Sequence, residues 1–213
     1  CSELGCAAVS VDYRLAPETN YTGSIEDNYA GLKWLHANAA SIGADPARIA
    51  VMGESAGGGH AALLAIAARD RGEVPVIFQH LLYPMLDDRT GSSRQAPAHV
   101  GRLVWTPASN RFGWESFLGR LPGGRNIPAA AVPARVKDLS GLPPAFIGVG
   151  SIDLFHDEDV DYAQRLNAAG VSTQLIVVPG AFHGFDIFTQ FAPNLRLVEW
   201  FNRAKTDALR RGL

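Results

Sequence analysis

The pentapeptide Gly53-Glu54-Ser55-Ala56-Gly57 constrains this chain more than any other feature. It stands between an apolar run, Arg48 to Gly53, and a helical run of small residues, Ala56 to Arg71. A serine at that junction must sit on a strained strand-to-helix turn. Residues two positions away on either side then need minimal side chains, which the two glycines provide. Such a turn lifts the serine hydroxyl above a sheet edge. It also aims the first helical N–H groups at whatever lies beside that hydroxyl, helped by the helix dipole. The Ala56 N–H is therefore the expected oxyanion donor. Gly57-Gly58-Gly59-His60 resembles an oxyanion motif in reverse, but it falls inside the helix start. There the glycines serve close packing, and His60 reads as a partly buried helix residue.

The rest of the chain has the rhythm this turn requires. Strands are expected at Cys6 to Asp12, Arg48 to Gly53, Val76 to Tyr83, Ala145 to Gly150 and Thr173 to Val178. Helices are expected at Ser24 to Ala40, Ala56 to Arg71, Glu158 to Ala169 and Asn194 to Arg211. Ser24 with Asp27 three residues on reads as a capping-box start, and Gly170 as a helix stop. Strands that are apolar on both faces and alternate with helices make an α/β fold, a mostly parallel sheet with helices on both faces. Residues 1–213 fit one such domain. About residues 84–142 the rhythm breaks into a stretch rich in Pro, Gly and Arg, with Trp105, Phe112, Trp114 and Phe117. We expect a partly helical excursion lying over the strand ends, where sheets of this kind hold their ligands.

A net charge of −2 points to no nucleic-acid or anionic-membrane partner. No apolar stretch reaches the roughly 18 residues of a spanning helix. The two cysteines, Cys1 and Cys6, form neither a disulfide framework nor a metal-ligand pattern. The chain opens on Cys1 without a signal-peptide pattern, so we expect that its true N-terminus, with any targeting information, is missing; a cytoplasmic protein is the expected setting.

A serine hydroxyl needs a general base, and the base needs an orienting group. In folds with this turn the order along the chain is Ser, acid, His. Asp153 follows the strand ending at Gly150 and His183 follows the strand ending at Val178. Both belong at the same sheet edge as Ser55. Asp157, Glu158 and Asp159 read instead as the acidic first turn of a helix. Asp186 is too near His183 in sequence to orient it and is expected to fix the following loop. His156 reads as a surface residue and His80 as a core histidine within a strand. His36 and His99 have no motif around them.

Val11-Asp12-Tyr13-Arg14-Leu15-Ala16-Pro17-Glu18, Gly53-Glu54-Ser55-Ala56-Gly57-Gly58, Tyr83-Pro84-Met85-Leu86-Asp87, Ser151-Ile152-Asp153-Leu154 and His183-Gly184-Phe185 together resemble the hormone-sensitive-lipase-like esterases. That resemblance implies an α/β-hydrolase fold and hydrolysis of short acyl or aryl esters, with no metal or organic cofactor. The implied partner is a small ester substrate, with no nucleic acid and no stable membrane insertion; a homodimer stays open. Ser55, Asp153 and His183 match the family's nucleophile, acid and base. The family also carries a His-Gly-Gly-Gly segment and first strands upstream of its Asp-Tyr-Arg segment, and this chain begins after that point. The strand at Cys6 to Asp12 would then lack a lateral partner, and the 213 residues alone would fold poorly or turn over slowly. An amidase on the same site, a small-ligand binder and an inactive fragment stay open as alternatives. Arg14 and Glu18 are expected to brace their loop. Trp105, Trp114 and Phe117 read equally as pocket wall or as packing, and Leu154 and Phe185 are further pocket candidates.

Overall fold

The structure, a computed structural model, describes residues 1–190 and 195–213. Its centre is a four-stranded sheet in the order β1-β2-β3-β4, made of Ala50–Glu54, Phe78–Leu82, Ala145–Gly150 and Thr173–Val178. All three pairings are parallel, with Gly53 opposite Leu81, Leu82 opposite Gly148 and Gly150 opposite Val178. Parallel neighbours require crossovers. Helix α2 (Ala56–Arg71) crosses from β1 to β2, and α4 (His156–Ala168) from β3 to β4.

Side-chain alternation along the strands divides the core between two faces. Leu81, Ala145 and Ile147 pack with Ala62 and Ile66 of α2 and with Tyr162 and Leu166 of α4. Phe78, Leu82 and Phe146 face the other way, onto Val198 and Phe201 of α5 (Arg196–Gly212). Gly148 makes room for that helix: a Cβ there would stand 2.7 Å from the Phe201 ring. Helix α1 (Tyr21–Asn38) closes a third cluster, with Tyr29 and Leu32 against Ile49 and Val74.

Residues 6–15 are not a strand, contrary to the pattern of Cys6 to Asp12. A strand exists by pairing, and β1 is the edge of the described sheet with no strand beside it. The apolar residues of this run are accordingly not core; Val9 is exposed, and Val11 rests on Gly31 of α1. Helix α1 begins a turn before the expected Ser24. Asn20 caps it by accepting from the Thr22 N–H at 3.1 Å. Asp27 is thereby freed from capping and takes the Arg14 guanidinium through both oxygens. The loop brace expected between Arg14 and Glu18 is thus an Arg14–Asp27 pair. Helix α4 starts at His156, two residues before the expected Glu158. The C-terminal helix starts at Arg196; Asn194, its expected first residue, lies outside the described residues.

Within residues 84–142 lie α3 (Pro107–Leu118) and two 3₁₀ turns, Ala129–Ala131 and Pro133–Arg135. The fully buried Asp88 ties this stretch together. It accepts two bonds from Arg135 and one from the Gly123 N–H. No described helix is long and apolar enough to cross a membrane.

Candidate active site

Ser55 sits between β1 and α2 with φ 56° and ψ −121°, in a region that side chains avoid. Its main chain is held from both sides. The Ser55 N–H donates to Leu82 O at 2.9 Å, and the Met85 N–H donates to Ser55 O at 3.0 Å. The two glycines flanking it play unequal parts. A Cβ on Gly53 would lie 2.1 Å from Gly57 O, so the turn cannot close with any larger residue there. A Cβ on Gly57 would meet nothing within 4 Å, so steric need does not explain that glycine. Gly58 and Gly59 let α2 press onto Pro84 and Met85, which accounts for the remaining glycines. Ala56 is the first residue of α2, so its N–H has no partner within the helix.

The loops after β3 and β4 are joined to each other before they reach Ser55. The Ile152 N–H donates to Ala181 O, the Ser151 N–H to Val178 O, and the Gly180 N–H to Ser151 Oγ. Gly150 allows this closeness, since a Cβ there would lie 2.2 Å from Ala181 O. Asp153 and His183 therefore emerge side by side. His183 Nδ1 stands 2.9 Å from Asp153 Oδ2, and His183 Nε2 stands 2.8 Å from Ser55 Oγ. A carboxylate only accepts, so Nδ1 carries the ring proton and Nε2 is left to accept from the serine hydroxyl. The second Asp153 oxygen accepts from the Phe155 N–H at 2.9 Å. Both Asp153 and His183 are buried, at 1% and 5% exposure, which keeps bulk water from weakening these bonds.

Among the described residues, three aromatic rings stand around the imidazole. Tyr83 and Phe155 stand edge-on to it at centroid distances of 5.0 and 5.1 Å, and Trp105 is tilted to it at 6.3 Å. Trp105 is fixed by its Nε1–H, which donates to Asn110 Oδ1 at 3.0 Å; the buried Asn110 in turn donates to Thr90 O. Of the five pocket candidates, Trp105 is the one whose ring stands beside the imidazole. Trp114 and Leu154 belong to the α2–α4 core and Phe185 to the α5 core, because their positions turn them inward from the strand ends. Phe117 packs edge-on against Trp114 and His60. A cleft of about 580 Å³ opens nearby, lined by Ala98, His99, Arg102, Leu103, Ile152 and Phe182. It adjoins Asp153 and His183 through their chain neighbours Ile152 and Phe182, and Ser55 is not on its wall.

The other titratable groups are engaged elsewhere. His60 bonds Ala56 O and Ser24 Oγ, and burial pushes its pKa down. His80 is buried against Phe146, and burial pushes it down to about 4. His156 lies at the start of α4 beside Asp157. Glu158 and Asp159 are buried rather than solvated. Glu158 accepts from the Leu86 and Asp87 N–H groups, whereas among the described residues neither oxygen of Asp159 has a partner. Desolvation, and for Asp159 then the nearby Glu158 and Asp153, holds both well above the usual carboxylate range. Among the described residues no three His, Cys, Asp or Glu side chains converge to hold a metal ion. Tyr83 and Phe155 are neighbours of His183 that sequence reasoning misses. Phe155 could have been found from its place two residues beyond Asp153; nothing local marks Tyr83.

A model of the α/β-hydrolase fold family matches residues 1–187. Carboxylesterase NlhH of Mycobacterium tuberculosis is 42% identical over 191 residues, covering 87% of this chain and 58% of that protein. Esterase LipI of the same species is 37% identical over 208 residues, covering 96% of this chain and 60% of that protein. The chain thus spans about 60% of the length of these curated relatives. Among solved structures, a bacterial heroin esterase superposes with a TM-score of 0.91 at 40% identity, over 99% of this chain and 66% of that one.

Proposed function

The chain belongs to the α/β-hydrolase fold family, in its hormone-sensitive-lipase-like branch, and from that premise we propose that the protein carrying it hydrolyses carboxylic esters of short acyl or aryl groups through an acyl-serine intermediate. We take residues 1–213 as one catalytic unit, with about 84–142 as an excursion over its strand ends. The observation that carries the reading is the unbroken line from Ser55 Oγ to His183 Nε2 and from His183 Nδ1 to Asp153 Oδ2, at 2.8 and 2.9 Å. The named esterases among the relatives support the choice of an ester over other acyl compounds.

In this reading Ser55 Oγ attacks the ester carbonyl carbon while His183 Nε2 takes its proton. The carbonyl π pair moves onto oxygen, and the Ala56 N–H at the start of α2 donates to the resulting oxyanion. Asp153 holds the imidazole in the tautomer that can accept and stabilises the cation once formed. The oxyanion then collapses, the bond to the alcohol oxygen breaks, and His183 returns the proton to the leaving alcohol. Water repeats the sequence on the acyl-serine, giving the carboxylic acid and free Ser55. Trp105, fixed by Asn110 and facing the imidazole, is the wall on which the leaving alcohol rests.

The test is turnover of p-nitrophenyl acetate and butyrate by the full-length protein and by its Ser55→Ala variant. The variant should lose about 10⁶ in kcat. Retention of most of the hydrolysis by the variant would overturn the reading.

A further inference from the structure

Hydrogen bonds to Asp153 and Ser55 hold only the imidazole of His183; they do not hold the loop that carries it. That loop is gripped from two other elements. Tyr83 directly follows β2 with φ 36°, and its N–H donates to Gly148 O of β3 at 2.6 Å, so its ring is turned up over the sheet edge. The ring stands edge-on to His183 at 5.0 Å and 69°. Its hydroxyl donates to Asp186 Oδ1 at 3.0 Å, three residues beyond the base. The other Asp186 oxygen pairs with Lys205 Nζ of α5, which lies over the Phe201 ring. Tyr83 and Asp186 are both buried, at 2% and 5% exposure. Burial and the neighbouring Asp186 raise the phenol pKa, so the hydroxyl remains a donor.

We infer that Tyr83 is a positioning residue for the base: through Asp186 and Lys205 it fixes the His183 loop to β2 and α5, and with its ring it limits the tilt of the imidazole. This rests on the ester-hydrolase reading. A buried carboxylate held from opposite sides by a phenol and an ammonium cannot shift without leaving one of them unpaired, which is costly. The loop is thus fixed in one place, and displacement of a reacting group by about 1 Å can cost up to about 10²-fold in rate.

The experiment compares Tyr83→Phe, Asp186→Asn and the double variant in the full-length protein, with Val198→Ala as a control that loosens the same core cluster without touching the relay. Tyr83→Phe and Asp186→Asn should each lower kcat about tenfold with KM within twofold. The double variant should be no slower than the worse single one, because both break one unit. Val198→Ala should lower the melting temperature and leave kcat within twofold. If Tyr83→Phe does not fold, Asp186→Asn still reads the relay. An unchanged kcat in both single variants, a loss expressed in KM, losses that multiply in the double variant, or an equal fall of kcat in Val198→Ala would each overturn the inference. Ser55→Ala is assayed alongside. If it is inactive, a surviving kcat in Tyr83→Phe counts against the positioning role alone; if it turns over, both the inference and the hydrolase reading fail.

Discussion

Phe155 holds Asp153 and borders its partner at once: its N–H donates to Asp153 Oδ1 at 2.9 Å while its ring stands edge-on to the His183 imidazole. Asp153 therefore accepts from two donors, the Phe155 N–H and the His183 Nδ1–H. An amide offers only one acceptor oxygen. In Asp153→Asn one donor must face an NH₂ group, and the imidazole escapes that clash by moving its proton to Nε2. Nε2 can then no longer accept from Ser55. We expect kcat to fall about 10⁴-fold with KM little changed. Steady-state kinetics on one p-nitrophenyl ester check this; a loss under tenfold would contradict it.

Trp105 is held by a tight turn as well as by Asn110. Its N–H donates to Leu103 O at 2.7 Å across Val104, whose φ of 64° is strained for a β-branched residue. In the proposed reaction a fixed ring beside His183 should matter for the leaving alcohol and not for the acyl group. Trp105→Ala should lower kcat/KM for phenyl acetate about tenfold more than for ethyl acetate. Breakdown of the common acetyl-enzyme, read by pre-steady-state burst kinetics, should be unchanged. Equal losses on the two esters would remove Trp105 from the leaving-group wall.

His80 links acid sensitivity to the core behind the site. Its folded pKa of about 4 lies below the unfolded value of 6.5. As pH falls from about 6.5 to about 4 the unfolded chain takes up a proton that the folded chain refuses, so stability is lost across that window. By pH 4.5 the loss from this group is roughly 2–3 kcal/mol. His80→Leu should flatten the stability profile by that amount between pH 7 and 4.5 in urea titrations. Glu158 and Asp159 are the same in both proteins, so the difference isolates His80. An unchanged profile would contradict the assignment.

Asp159 has the opposite sign. Its folded pKa is raised, so its stability contribution is full below the unfolded value of about 3.8 and lost as pH rises through the folded one. Asp159→Asn stays neutral at every pH and gives up no hydrogen bond to the described residues, because neither carboxyl oxygen has a partner among them. The variant should melt several degrees higher than the parent at pH 8 and gain less at pH 5. Equal gains at both, or a loss at pH 8, would contradict this.

What was legible in the sequence is what local pattern decides. Helix α2 and strands β3 and β4 have the bounds their apolar runs and flanking glycines suggest. The order Ser, acid, His along strand ends marked the three residues the structure brings together. The misread features depend on distant partners. The Cys6 to Asp12 run is apolar like a strand but has no strand to pair with among the described residues. Asp27 looked like half of a capping box until Arg14, 13 residues earlier, claimed it. Trp114, Leu154 and Phe185 have the composition of a pocket, and only the packing of α3, α4 and α5 turns them into core. The Tyr83–Asp186 bond spans 103 residues, a separation no local signal reports.

The most direct test of the central claim is covalent labelling by a fluorophosphonate, which reacts only with a serine whose hydroxyl is activated. Treated with such a probe and digested, the full-length protein should carry the adduct on the peptide containing Ser55. His183→Ala should abolish the adduct although Ser55 is intact. Labelling elsewhere, no labelling, or undiminished labelling of Ser55 in His183→Ala would contradict the account.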